Sequence, residues 1–273
     1  MTAPHAARRL LPGVCLVALC LAVACLPGCV KRHVYSDQSV AMNNGKGLIL
    51  ALNDFATEYG SFPDQTTAKR VTENTGSTLN LSGDTANDYF RQLIAAGVMK
   101  TEEPCYAKTA YSPKKPDNNM TGSLAIAPGE VGFGYVMNGA KALPADDPNR
   151  VIAAAPLLNA AATGEFDPEP LQGKAALVYL DNSVQLKDIN PTDHRVMLSG
   201  GKTFLENGPG TIWGTAITPV IKPPQAPLGW IAKLPSRLPV KGWWLVCAGL
   251  CFTVLALWVI FKRTDLTVPP PEP

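Results

Sequence analysis

Histidine is scarce in this sequence. There are three, His5, His33 and His194, and none is spaced with another or with cysteine as a zinc site requires. Cysteine is nearly absent from the middle. Of seven, Cys15, Cys20, Cys25 and Cys29 fall in or just after an apolar run at residues 10–26, and Cys247 and Cys251 fall in a second run at 243–261. Only Cys105 lies between, so no disulfide can staple that region internally. Net charge of one sign is missing too, because residues 30–241 hold 20 basic and 20 acidic side chains. That balance argues against a nucleic-acid partner held by electrostatics. The nucleotide signatures are also lacking. Gly132-Phe-Gly134 has no third glycine and no following helix, and no phosphate-loop motif occurs.

What is present is a long stretch without charge at each end. Residues 1–29 have a basic start ending in Arg8-Arg9, an apolar centre, and then Leu26-Pro27-Gly28-Cys29. This order reads as an export signal. Its last four residues resemble a bacterial lipobox, which makes Cys29 a candidate lipidation site. A retained N-terminal anchor and an ordinary cleaved signal stay open beside it. Residues 243–261 form a 19-residue uncharged run flanked by Trp243, Trp244 and Trp258 and followed by Lys262-Arg263. Its length matches the ~20 residues a membrane-spanning helix needs. The expected order is signal or anchor (1–29), an extracytoplasmic domain (30–218), a proline-rich linker (219–242), a transmembrane helix (243–261) and a cytoplasmic tail (262–273). The membrane is therefore an expected partner. Pro219, Pro223, Pro224, Pro227, Pro235 and Pro239 predict an extended spacer over 218–239.

The strongest periodicity is in NGKGLILALNDFATEYGSFPD, residues 44–64. Leu48, Leu52, Phe55 and Tyr59, widened by Ile49 and Ala56, fall on one helical face opposite Asn53, Asp54 and Glu58. Gly60 and Pro63 end this helix, and Ser36 or Asp37 is its expected N-cap. The polar run 66–84 reads as loop with at most one short strand. A second helix is expected over 85–96 behind Asp84, with Phe90, Leu93 and Ile94 inward and Gly97 as its stop. From residue 123 the period shortens. Leu124 and Ile126 alternate with small residues, and GFGYVM (132–137) reads as a strand closed by Asn138-Gly139. Residues 142–156 read as a connection. KAALVYL (174–180), the turn Asp181-Asn182 and SVQL (183–186) read as a hairpin. Helices followed by mostly antiparallel strands predict an α+β domain.

Taken together, FATEYGSFPD, ANDYFRQLIAAG, GYVMN and KAALVYLDNSVQ resemble the globular part of type II secretion pseudopilins and type IV pilin-like proteins, in the version abundant in Verrucomicrobia-type bacteria. The likeness covers about residues 39–224. It implies a helix packed on an antiparallel sheet, protein partners in the cell envelope, and a role in interaction or scaffolding rather than catalysis. Two features depart from the family. Gly13 is followed by VCLVA, without the glutamate of a prepilin cleavage site, and the C-terminal membrane run is an addition.

Catalytic, cofactor and metal residues are not assigned from the sequence, and no cofactor is expected. The weighed alternatives are an envelope hydrolase using Asp193-His194 with Ser199, and a small-ligand or glycan binder using Tyr106, Tyr111, Tyr135 and Trp213. A further alternative, which the family likeness suggests, is a calcium loop at Asp146-Asp147 or Asp181-Asn182. Each has a plainer reading: a surface histidine beside a turn acid, packed core aromatics, a solvated loop and a hairpin turn.

Overall fold

The computed structural model describes residues 27–230, with side chains from Asp37 onward. These residues belong to a compact unit that ends at Trp230. Among the described residues, three helices and a five-stranded antiparallel sheet make an α+β fold. The helices are α1 (Pro27–Tyr59), α2 (Gln65–Thr75) and α3 (Ala86–Ala95). The strands are β1 (Gly134–Asn138), β2 (Val151–Ala155), β3 (Lys174–Tyr179), β4 (Val184–Asp188) and β5 (Pro219–Lys222), in the spatial order β4-β3-β2-β1-β5.

Helix α1 has 33 residues and begins at Pro27, ahead of the expected cap at Ser36 or Asp37. Proline is well placed at a helix start, where its missing N–H has no intrahelical partner in any case. The expected stripe is the buried face. Leu48, Ile49, Leu52 and Phe55 have no exposed area, and Phe55 stacks on Tyr59 with ring centroids 4.6 Å apart. Gly45, a weak helix former, earns its place by proximity. A Cβ there would lie 3.0 Å from Val178 Cγ2 and 3.1 Å from Val184 Cγ2, so its absence lets α1 settle close on β3 and β4.

Helix α2 occupies the stretch read as loop. Asp64 caps it by accepting from Thr66 N and Thr67 N, both at 2.8 Å, while Thr67 Oγ1 accepts from Asp64 N. Gly76, with φ 64°, closes it. Only Thr67, Ala68 and Val71 are buried, so the helix carries too thin an apolar stripe to announce itself. Helix α3 appears where expected, with Thr85 rather than Asp84 at its N-cap. The Asp88 carboxylate accepts from Thr85 N at 3.0 Å and pairs with Arg91 at 2.7 Å.

Strand β2 lies inside the expected connection at 142–156. All five of its residues are buried, as are the first four of β1, so both faces of the sheet are covered there. Such a strand has no polar alternation for the sequence to display. The hairpin β3–β4 pairs from Lys174↔Asp188 to Val178↔Val184 around Asp181-Asn182. The alternation at 123–126 is not a strand: residues Gly122–Leu124 form a 3-10 turn and Ile126 has φ 52°.

The expected linker is corrected at its start. Residues Pro219–Lys222 are strand β5, which pairs with β1 along the sheet edge from Tyr135↔Lys222 to Asn138↔Pro219. Pro219 sits at the strand's first position, where a lost donor costs least. Residues 223–230 then run back over the body. Pro223 O accepts from Ala86 N, Gln225 bonds Asn87 Oδ1 and Gly129 N, and Trp230 Nε1 donates to Ala110 O at 3.2 Å. Trp230 also meets Tyr111 edge-on, with ring centroids 6.2 Å apart.

Among the described residues no helix is long and apolar enough to cross a membrane. The runs at 10–26 and 243–261, the remainder of the linker and the tail lie outside the described residues. Cys29 falls in the first turn of α1.

Candidate functional site

Three loops meet where β1 begins, and each brings one carboxylate. Glu102 comes from the turn before residues Glu103–Cys105, Asp117 from the 112–121 loop, and Glu130 from the turn leading to β1. One oxygen from each lies within 4.8 Å of the others. The loops are held by the acids themselves. Glu102 Oε1 accepts from Ile126 N at 2.6 Å and Oε2 from Asn118 N at 3.0 Å, while Glu102 N donates to Asn118 Oδ1. Glu130 Oε2 accepts from Ala127 N at 2.8 Å. Asp117 is exposed and caps its own turn by accepting from Asn119 N. The approach to β1 is tight, because a Cβ on Gly132 would sit 2.0 Å from the backbone oxygen of Ala107.

Burial raises the Glu102 carboxyl above its ordinary range, against the lowering effect of the Ile126 and Asn118 amides. Burial likewise raises Glu130, and the negative charges of Glu102 and Asp117 push it further the same way. Three carboxylates this close can relieve their repulsion by holding protons or by sharing a hard cation, which favours several oxygen ligands. Both buried acids already have backbone donors, so the cluster also has a purely structural use in pinning the loops.

The acids singled out from the sequence do other work. Asp146 pairs with Arg150, and Asp147 Oδ1 accepts from Asn149 N at 2.9 Å. Asp181 Oδ1 accepts from Ser183 N at 2.8 Å, and Asn182 takes φ 68° and bonds Asn53. Both pairs are turn-forming. The true cluster escapes sequence reading because its members come from separate loops without a local motif.

The hydrolase candidates do not form a relay. Asp193 Oδ1 accepts from Arg195 N at 3.0 Å, while His194 Nδ1 is buried without a hydrogen-bond partner. No Asp–His bond therefore orients the ring as a triad would, and the Ser199 side chain is outside those described. The four aromatics considered for a ligand cleft are core residues. Tyr111 and Tyr135 are fully buried, with Trp213 and Tyr106 nearly so. Tyr111 Oη donates to Gly132 O and accepts from Leu157 N, both at 3.0 Å, which ties the sheet to its loops.

One open cleft of about 630 Å³ lies beside α3, bordered by Asp84, Thr85, Asp88, Arg91, Ser123 and Gln225. Its strongest groups are spoken for. Arg91 donates to Asp88 and to the carbonyls of Asn80, Ala125 and Ile126, and Asp84 pairs with Lys222 at 2.7 Å. Comparison with known proteins finds no family model, no curated protein and no solved structure that matches the chain.

Proposed function

We propose that this chain is a membrane-tethered, extracytoplasmic, pilin-like interaction and scaffold module of the bacterial cell envelope, with a role in secretion or surface assembly. The observation that supports the reading is the placement of α1 on an antiparallel sheet. FATEYGSFPD closes α1, KAALVYLDNSVQ supplies the β3–β4 hairpin, and GYVMN is strand β1. These are the segments on which the pseudopilin likeness rests. Export comes from the N-terminal segment, with Cys29 as the lipidation site, and tethering from the run at 243–261. A scaffold needs no acid–base pair, a reading with which the buried aromatics and a His194 Nδ1 that no partner bonds are compatible.

The test has two parts. A reporter active only outside the cytoplasm, fused after Pro273, stays silent, while protease added to spheroplasts digests the body. In crosslinked membranes, a pull-down of the tagged chain returns envelope assembly proteins in excess of a tethered control domain. Strong reporter activity, or a pull-down indistinguishable from the control, overturns the proposal.

A further inference from the structure

The two edges of the sheet are finished differently. At one, β5 is closed off. Pro219 has no N–H to offer, Pro223 O accepts from Ala86 N, and Lys222 pairs with Asp84 at 2.7 Å. At the other edge, β4 has no neighbouring strand. The β3–β4 ladder is tied at its ends by Tyr179 N to Ser183 O and by Ile189 N to Gly173 O, both at 2.9 Å. By strand alternation Gln185 and Lys187 complete the ladder, while Val184, Leu186 and Asp188 turn their backbone N–H and C=O groups outward. Among the described residues nothing bonds those groups. A strand edge left in that state is a template for another strand.

The side chains along this edge match a second copy of themselves. Val184 packs beneath Gly45 of α1, and half-buried Leu186 follows on the same face, with Gln185 and Lys187 on the other. Set antiparallel about a two-fold axis at Gln185, two β4 strands pair Val184 with Leu186, Gln185 with Gln185, and Ser183 with Lys187. Apolar side chains then meet apolar ones. The Ser183 amide is bonded to the turn acid Asp181, so each Lys187 comes beside an acid of the other copy. Pairing Leu186 with itself instead would set Val184 against Asp188. Helix α1 belongs to the same contact. Gly45 stands over both Val178 and Val184, which puts α1 above the line between β3 and β4. With strands about 4.8 Å apart, the two copies of α1 run about 10 Å apart, the spacing of packed helices. Asn44 faces the β1 side, where it bonds Tyr106 beside the Cys105 carbonyl that accepts from Gly132 N. By helical periodicity the opposite flank, toward the open edge, carries Met42, Lys46, Leu50 and Asn53, and Asn53 reaches Asn182 in the β3–β4 turn. On that flank Leu50 is 56% exposed, an unusual state for a large apolar side chain in this body.

We propose that the β4 edge and the adjoining flank of α1 form a self-association face, on which two copies of this chain pair antiparallel and join their sheets into one. The face is isologous, the same patch serving both copies. It goes beyond the envelope reading and does not depend on it, since every residue it uses lies in the described body. Lys187 and Asp188 deter a strand of arbitrary sequence, which would set apolar residues against them. A second copy supplies the Asp181 turn to Lys187 and the polar Asn182 to Asp188.

The test uses the full chain in detergent micelles. In the proposed register Gln185 faces its own counterpart as a non-hydrogen-bonded pair, with Cα atoms about 4.5 Å apart, within the reach of a disulfide. After mild oxidation, mass spectrometry should find the peptide that carries Gln185→Cys joined to itself, a link only two chains can make. Lys187→Cys, whose counterparts lie about 13 Å apart in this register, should give at least about tenfold less of its own self-linked peptide. Sedimentation should show the parent chain as a dimer. Leu50→Glu, at an exposed position, should raise the dimer Kd at least about fivefold without changing the thermal unfolding of the monomer. A parent chain that sediments as a monomer, self-linking as strong at position 187 as at 185, or an unchanged Kd for Leu50→Glu overturns the proposal and leaves the envelope reading standing.

Discussion

At the scale of single residues, the packing of α1 is best tested at Phe55. It has no exposed area and lies in the middle of the apolar stripe, whereas its neighbour Asp54 faces solvent. Replacing Phe55 with alanine removes its ring from a closed core and is expected to cost about 3–5 kcal/mol. Asp54→Ala is expected to cost less than about 0.5 kcal/mol. Urea unfolding of the 27–230 fragment measures both, and equal losses would mean that the stripe is not the core face. The carboxylate cluster gives a prediction of opposite sign. An acid whose pKa is raised by folding binds its proton more tightly in the folded state. Glu102 and Glu130 therefore favour folding at low pH and weaken it as pH climbs from about 4.3 through their raised values. Asp117→Asn keeps an oxygen for the Asn119 amide and removes one repelling charge. In chelator at neutral pH the variant should be more stable than the parent by about 0.5 kcal/mol, and the gain should vanish below the carboxyl range. A gain that persists in acid would place its origin outside charge repulsion. Calcium taken up by the three acids would reverse the ranking, and that reversal is the measurement for a cation role.

At the scale of elements, the features legible in the sequence are those whose surroundings differ on two sides. Helix α1 has a core face and a water face, and β3–β4 forms a hairpin around a recognisable turn, so both left a period. Helix α2 did not, because three buried residues are enough to seat it and Thr, Lys and Glu fill the remainder. Strand β2, Val-Ile-Ala-Ala-Ala, is covered on both sides and shows no alternation. Strand β5 opens with proline, which local preference reads as spacer until pairing with β1 overrides it. The acid cluster was illegible for a related reason, since only the tertiary fold brings residues 102, 117 and 130 together. The 223–230 strap carries its own prediction. Ending the fragment at Lys222 removes the backbone bonds of Pro223 and Gln225 and uncovers Tyr111 on its Trp230 side. At about 1 kcal/mol for each lost hydrogen bond, the shorter fragment should be about 2–4 kcal/mol less stable than 27–230. Equal stability would make the strap a passive passenger.

For the whole molecule, the order β4-β3-β2-β1-β5 has a consequence in time. Strands β1 to β4 follow one another as a meander, but β5 crosses to the far edge and pairs with β1, joining Asn138 to Pro219. Closing so long a loop has an entropic cost before any contact rewards it, and folds dominated by such pairings form slowly, typically in milliseconds to seconds. During synthesis, β1 therefore emerges with its outer edge bare and waits until nearly the whole body has followed. In that interval its unpaired backbone is open to a chaperone, a protease or the strand of another chain. The last strand to arrive is also the one that precedes the C-terminal apolar run in sequence, so the sheet closes only as that run is being synthesised.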